Sequence, residues 1–324
     1  VLRHLLTNTD WGIVCPVTFR HKGLPGRIAS SLCDNMGWSS RVDIVHCDLR
    51  SGIDSVTIAK FGPVDYVLNV ASESHVDRSI ESPASFIRDN VAIACSVLDY
   101  ARRVRPQIFL QMSTDEVYGP APSGYASREW DVIAPSNPYS ASKAAQEAIA
   151  FSYWRTYGVP VVITNTMNIV GEMQDPEKFV PMIIKRVLAG KAVTVHTDSH
   201  GTPGSRFYLH ARNLADAWLW LLNEEGHAWD LQQYSDGSTR PTRFNIVGER
   251  EVNNIELVNM IGGFLGREPV VELADFHSSR PGHDLRYALD GTKLSSIGWR
   301  PPVPLDSSLK KTVEWTLNHP EWMD

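Results

Sequence analysis

Only four cysteines, Cys15, Cys33, Cys47 and Cys95, occur in the 324 residues. They are too few and too scattered for a disulfide scaffold or a zinc site, so no metal is expected and a reducing, cytoplasmic setting is the default. Long apolar runs are also missing. No stretch approaches the roughly 18 to 20 residues of a membrane span, and the opening VLRHLLTNTDW has neither the apolar core nor the small-residue cleavage site of a signal peptide, so no membrane partner is expected. Charge of one sign is scarce: 31 Lys and Arg face 37 Asp and Glu, a formal net charge of -6. Such a balance offers no field to a nucleic-acid backbone, and the one basic cluster, Arg102, Arg103 and Arg105, reads as a solvent-facing helix end. What is present, 43% hydrophobic and 21% charged residues, suits one large domain or two packed ones. Disorder, collagen and low complexity are excluded as global descriptions.

Short apolar, β-branched runs recur at 13 to 17, 42 to 49, 64 to 72, 107 to 114 and 159 to 171, most ending in polar residues. Helix-length segments at 82 to 104 and 138 to 157 lie between them. This alternation predicts an α/β fold of Rossmann type, a parallel sheet with helices on both faces, whose ligands sit beyond the carboxyl ends of the strands. After 171 the pattern loosens into helices near 179 to 189, 211 to 223, 253 to 265 and 305 to 318, with strands near 192 to 196, 244 to 247 and 269 to 273. Residues 226 to 243, GHAWDLQQYSDGSTRPTR, read as an exposed loop or insertion. The expected division is a sheet domain over 1–171 and a smaller carboxyl-terminal α/β lobe over 172–324, some of whose segments return to the sheet.

Tyr139 and Lys143 stand four residues apart in PYSASKAAQEAIA, on one face of the predicted helix. A lysine ammonium near a phenol favours the phenolate, lowering a reference pKa of about 10 and making tyrosine a usable general base. Alone the spacing is weak evidence, and a surface helix carries it by accident more often than not. Asp115 and Glu116 follow Ser113 and Thr114 at a predicted strand end. Adjacent acids there can cap a turn. They can also divide labour, because neighbouring extended side chains point apart, one carboxyl group serving as acid and the other as base.

STDEVYG at 113 to 119, PYSASK at 138 to 143, ASESHVDRS at 71 to 79, NIVG with DPEK at 168 to 178, and RPGHDLRYALD at 280 to 290 together resemble the nucleotide-sugar 4,6-dehydratases of the extended short-chain dehydrogenase/reductase class. The most specific element is Thr-Asp-Glu upstream of Tyr-x-x-x-Lys, because related epimerases share the latter pair but usually lack the adjacent carboxylates. The resemblance implies an enzyme that oxidises C4 of a nucleoside diphosphate sugar, eliminates water across C5 and C6, and returns the hydride to C6. It implies that Tyr139 takes the C4 hydroxyl proton, Lys143 orients the cofactor ribose, Glu116 removes the C5 proton, Asp115 protonates the leaving hydroxyl and Thr114 holds the sugar near O4. Asp48 and Leu49 would lie beside adenine, with Ala71, Ser72, Glu73 and Ser113 along the rest of the dinucleotide. Asn168, Lys178, Arg206, Arg280 and His283 would meet the nucleotide diphosphate. The sheet domain would then bind the dinucleotide and the second lobe the nucleotide sugar, in a homodimer.

Three departures qualify what the resemblance implies. Relatives begin with a strand and a glycine loop for the pyrophosphate, whereas VLRHLL reads as the later part of the following helix, so about 15 to 20 further residues are expected ahead of Val1. GLPG at 23 to 26 follows the wrong strand and reads as a surface turn. Where relatives that use NAD close their second strand with an acid, this chain aligns Cys15, followed by Arg20, His21 and Lys22. NAD is the expected cofactor, with NADP as the alternative that such a loop would admit. Asn165 and Val170 replace a more usual arginine and tyrosine, which leaves dTDP-glucose, UDP-glucose and UDP-N-acetylglucosamine all open as substrates. An epimerase, or a catalytically silent nucleotide-sugar-binding protein, are the competing functions.

Overall fold

The computed structural model describes residues 1–20, 23–223, 240–275 and 284–323. In chain order the strands are β1 (Ile13–Val17), β2 (Val42–His46), β3 (Tyr66–Asn69), β4 (Ile108–Thr114), β5 (Val161–Thr166), β6 (Ile169–Val170), β7 (Val193–Thr197), β8 (Ser205–Phe207), β9 (Leu209–His210), β10 (Thr242–Ile246), β11 (Glu251–Asn253) and β12 (Val271–Asp275). The helices are α1 (Leu2–Asn8), α2 (Pro25–Leu32), α3 (Ser55–Phe61), α4 (Val76–Glu81), α5 (Pro83–Val104), α6 (Pro138–Tyr157), α7 (Phe179–Leu188), α8 (Ala211–Asn223) and α9 (Asn254–Leu265), followed by Thr292–Ser296 and Leu305–Asn318. Two units interleave in sequence: one comprises Val1–Val117, Val132–Asn165 and Trp218–Phe244, the other Tyr118–Asp131, Thr166–Ala217 and Asn245–Asp324.

In the first unit β1 pairs parallel with β2, and β3 parallel with β4 inside the order β10-β5-β4-β3. A cavity of about 160 Å³ is lined by residues that include Val14 and Pro16 of β1 and Tyr66 and Leu68 of β3. The two long helices are well specified locally. Both begin with proline in the first turn, where the missing N–H costs nothing. Asn137 caps α6 by accepting from the Ser140 N–H while Ser140 Oγ accepts from the Asn137 N–H. Gly158 closes α6 at φ +69°, the left-handed conformation that a side chain resists. Their shared face buries Val97, Leu98 and Ala101 of α5 and Ala150 of α6 against Phe109, Val161 and Ile163 of the strands. Each large aliphatic contributes about 1.5–3 kcal/mol on burial, enough to tolerate the polar groups that the same layer holds.

In the second unit β7 and β12 pair parallel, β6 and β9 pair parallel, and β8 and β11 pair antiparallel. Val180, Ile183, Ile184 and Val187 recur at helical spacing along α7 and meet Val193 and Val195, Leu257, Val258 and Ile261, and Leu309 and Val313 in one core. No helix among the described residues is long and apolar enough to cross a membrane, and they contain no group of three or more His, Cys, Asp or Glu able to hold a metal.

Several local expectations change. The run at 159 to 171 is two strands, broken at Met167 and Asn168. GLPG opens α2 with Pro25 as its first residue, so it is a helix start and not a turn. Thr242 and Arg243, assigned to an exposed loop, begin β10 and are buried; residues 226–239 of that segment lie outside the described ones. The Arg102 and Arg103 cluster does end α5, where both guanidinium groups pair with Asp99.

Candidate active site

Strand β4 runs buried to its last residue and delivers Ser113, Thr114 and Asp115 below the surface, with Glu116 just beyond. The chain tightens there into a 3₁₀ turn, Asp115–Tyr118. Thr114 Oγ1 donates to Asp115 Oδ1 at 2.8 Å, and the Glu116 N–H points back at that carboxylate at 3.1 Å. Glu116 Oε2 in turn accepts from Asn137 Nδ2 at 3.1 Å. One asparagine therefore caps α6 and holds a candidate base.

Tyr139 and Lys143 share the inner face of α6, as their spacing requires. Tyr139 is anchored through its N–H, which donates to Ser79 Oγ at 3.1 Å, and its ring meets Phe86 edge-on. Burial first, then the Glu116 and Asp115 carboxylates, push its phenol well above the ordinary value, while a hydrogen bond with the Thr114 side chain works the other way. Lys143, expected to lower the phenol, is not among the groups that shift it here. The Lys143 ammonium is engaged elsewhere, donating to Met112 O at 2.8 Å and Gln146 Oε1 at 2.6 Å. Thr114 is the neighbour that favours the phenolate.

Burial lowers Lys143 to about 8, with the Glu147 carboxylate pulling in the opposite direction. A lysine taken out of water needs every donor used. Its partners are neutral amides, themselves linked: Gln111 Nε2 donates to Met112 O at 3.0 Å and Gln146 Nε2 to Asn90 O at 2.8 Å. Asn90 Nδ2 donates to Ser142 Oγ at 2.8 Å and Glu73 O at 3.1 Å, and Asn90 Oδ1 accepts from the Glu73 N–H at 2.7 Å. Helix α5 thereby splints residues 72–73, beyond the carboxyl end of β3, to the face of α6 that bears Lys143.

The remaining candidates are placed as follows. Asp48 follows β2 and caps a short turn, its carboxylate receiving Arg50 Nε at 3.0 Å, Arg50 Nη2 at 2.7 Å and Arg20 Nη1 at 3.1 Å. Leu49 packs into the core with Phe61 and Tyr100. Ala71 and Ser72 are half-buried just after β3. Cys15 lies in mid-strand opposite Ile44, two residues before β1 ends, so the strand-end position aligned to it belongs to Val17. In the second unit Asn168 is exposed, its carbonyl accepting from the Leu209 N–H at 3.0 Å. Lys178 is the residue before α7. Arg206 directs its guanidinium to the carbonyls of Ser205, Leu285 and Asp284 and lies 4.6 Å from the Tyr287 ring centre. Arg280, His283, His21 and Lys22 lie outside the described residues. Thr114, Asp115, Glu116, Tyr139 and Lys143 thus come together in the first unit with Ser113, while Asn168, Lys178 and Arg206 belong to the second. Sequence reasoning missed Asn137, Asn90 and Gln146; the Asn-Pro that opens α6 is a cap signature and could have revealed the first.

Residues 4–232 match the model of the NAD dependent epimerase/dehydratase family, and the chain belongs to that family, within the extended short-chain dehydrogenases/reductases. The dTDP-glucose 4,6-dehydratase of Shigella flexneri is 33% identical over all of this chain and 91% of its own length. Escherichia coli K12 dTDP-glucose 4,6-dehydratase 1 is 34% identical with the same coverage. Among solved structures, a Streptomyces venezuelae dTDP-glucose 4,6-dehydratase with NAD bound superposes at a TM-score of 0.80 with 30% identity, covering 99% of this chain and 92% of that one. A Bacillus cereus UDP-glucuronic acid 4-epimerase reaches 0.83 at 19% identity over 98% and 95% of the two chains, a likeness of fold. The protein is accordingly an NAD-dependent family member of the kind that modifies nucleotide sugars.

Proposed function

We propose that the chain is a nucleotide-sugar 4,6-dehydratase, converting a nucleoside diphosphate hexose to its 4-keto-6-deoxy product. The observation that carries the proposal is the convergence of Thr114, Asp115 and Glu116 on Tyr139: a phenol for one proton, two carboxylates for two others, and a hydroxyl to hold the sugar oxygen. An epimerase has no use for the two acids at that strand end. In this reading Tyr139 takes the C4 hydroxyl proton, with Thr114 bonded to the developing phenolate. Glu116, oriented by Asn137, takes the C5 proton once C4 is a ketone. Asp115 protonates the C6 hydroxyl as it leaves.

A dinucleotide fits the residues present. Strands β2, β3 and β4 end in polar segments at Asp48, 71–73 and 113–116, and Lys143 is held by neutral acceptors that leave its charge available to ribose hydroxyls. The nicotinamide, when bound, accepts and returns the hydride. NAD is assigned because the family and the solved relatives use it; Arg20, paired with Asp48, is where NADP would find its phosphate partner. Asn168, Lys178 and Arg206 are assigned to the diphosphate, and the enzyme to a homodimer.

Incubation with dTDP-, UDP- and GDP-hexoses, followed by mass spectrometry, tests the reading. Loss of one water, with deuterium from C4 recovered at C6, is the expected result. An unchanged mass with inversion at C4 would make the protein an epimerase, and binding without turnover would make it a silent binding protein.

A further inference from the structure

Behind the catalytic residues lies a second set of buried charges that the proposed chemistry does not use, all of it in the first unit. Glu147, one turn beyond Lys143 on α6, is 1% exposed, and Arg243 on β10 is 2% exposed. Arg243 Nη2 donates to Glu147 Oε2 at 2.7 Å. The other carboxylate oxygen accepts from Asn165 Nδ2 at 2.8 Å, and the same nitrogen donates to Thr114 O at 3.1 Å. Both protons of that amide are then used. Turned around, it would set an oxygen against a carboxylate and a carbonyl, so its orientation is fixed by its neighbours.

Removing two charges from water is costly, and apolar residues of similar volume commonly replace such pairs without loss of stability. A fully buried pair at this place therefore calls for a use. Its position supplies one, since the array Arg243, Glu147, Asn165 and Thr114 links β10, α6, β5 and the last residue of β4. Tyr139 and Lys143 ride on α6, whereas Asp115 and Glu116 follow directly from Thr114. We propose that Glu147 and Arg243 are positioning residues that hold the strand end bearing Thr114, Asp115 and Glu116 in fixed register with the helix bearing Tyr139 and Lys143. The inference rests on the dehydratase reading. Asn165, which stands where an arginine is more usual, fits it: its small amide bridges a carboxylate and a main-chain carbonyl, where a guanidinium would crowd the Arg243 already paired there.

The test uses Glu147→Leu, Arg243→Met and the double variant of the full chain, scored for thermal midpoint, kcat, KM for the nucleotide sugar turned over by the parent, and dinucleotide Kd by calorimetry. Each single variant strands one buried charge and should unfold at a lower temperature than the double variant, which strands none. The double variant should nonetheless turn over about 10²-fold more slowly, as for a misplacement of about 1 Å, with KM and Kd within about threefold of the parent. A stable double variant with parental kcat would overturn the inference, as would a loss shared equally by kcat, KM and Kd. If the double variant fails to fold, Arg243→Lys decides: it keeps the charge but not the planar fork, and kcat lowered at least about threefold at unchanged KM is expected, parental kcat being the overturning result. A parent that turns over no nucleotide sugar would overturn the dehydratase reading and this inference with it.

Discussion

Replacing Lys143 with methionine should make the protein more stable and less active. In the folded chain burial lowers the ammonium from 10.5 to about 8, a penalty on the order of 3 kcal/mol for keeping it charged. Below pH 8 the penalty is fully present. It fades as the pH rises towards 10.5, because in that window the unfolded chain binds more protons than the folded one, so stability climbs with pH. Methionine fills similar space and carries no charge. It forfeits hydrogen bonds to Met112 O and Gln146 Oε1, but Gln111 Nε2 still reaches both, at 3.0 and 3.4 Å, limiting the loss to about 1–2 kcal/mol. The net gain at pH 7 is about 1–2 kcal/mol, and the advantage should shrink by roughly 2–3 kcal/mol between pH 7 and pH 10. Urea unfolding of cofactor-free parent and variant at both pH values measures it directly. An advantage that is the same at both pH values, or that grows with pH, would refute the argument that burial of charge is the dominant cost. Activity of the variant should fall about 10²- to 10⁴-fold.

Three other outcomes are expected. Asn137→Asp keeps the α6 cap but sets a carboxylate where an amide donates to Glu116 at 3.1 Å, so the acid limb of kcat against pH should move up by about one unit or more with little change in thermal midpoint; an unmoved limb would remove Asn137 from any role in orienting Glu116. Glu116→Gln should leave C4 oxidation measurable in a single turnover while C5 proton exchange falls about 10²-fold or more, and unimpaired exchange would reject Glu116 as the C5 base. In the second unit, burial alone would raise Glu172, but its hydrogen bond with His210, with the Arg212 guanidinium nearby, holds it below the usual carboxylate range. That stabilisation is present above the unfolded pKa and lost as pH falls through the folded value, so Glu172→Gln should cost about 1.5–3 kcal/mol at pH 7 and progressively less towards pH 3, an acid-independent cost being the contrary result.

Strand β4 and helix α6 were legible because each carries a strong local signal: an apolar run stopped by Ser-Thr-Asp-Glu, and a long segment between Asn-Pro and Gly. Helix α2 was not, since it has only eight residues, opens on a Pro-Gly pair that reads as a turn, and buries none of its side chains fully. Strands β6, β8, β9 and β11 have two or three residues each, too few for a period. The pairing of Tyr139 with Lys143 shows a different limit. Spacing of four places two side chains on one face, but what each touches is set by other elements, here Met112 O from β4 and the Gln146 amide one turn along. Arg243 reaches Glu147 across 96 positions of sequence, and no local pattern could have announced it.

The distribution of charge explains why amides, not carboxylates, surround Lys143. Coulomb attraction at about 3 Å in a partly dry interior is worth several kcal/mol, so a carboxylate in the place of Gln146 would hold the ammonium against itself and leave little to offer a ligand hydroxyl. Neutral acceptors meet its donors at 2.6 and 2.8 Å without neutralising it. The acids of the site stand instead at the Tyr139 end, where Asp115 and Glu116 raise the phenol's hold on its proton. Glu147, the carboxylate among the described residues whose field reaches Lys143, is shared with Arg243 and so gives up part of its pull. A positive end and a negative end therefore persist on one helix face, and the amides of Asn90, Gln111 and Gln146 are what keep them from collapsing into an ion pair.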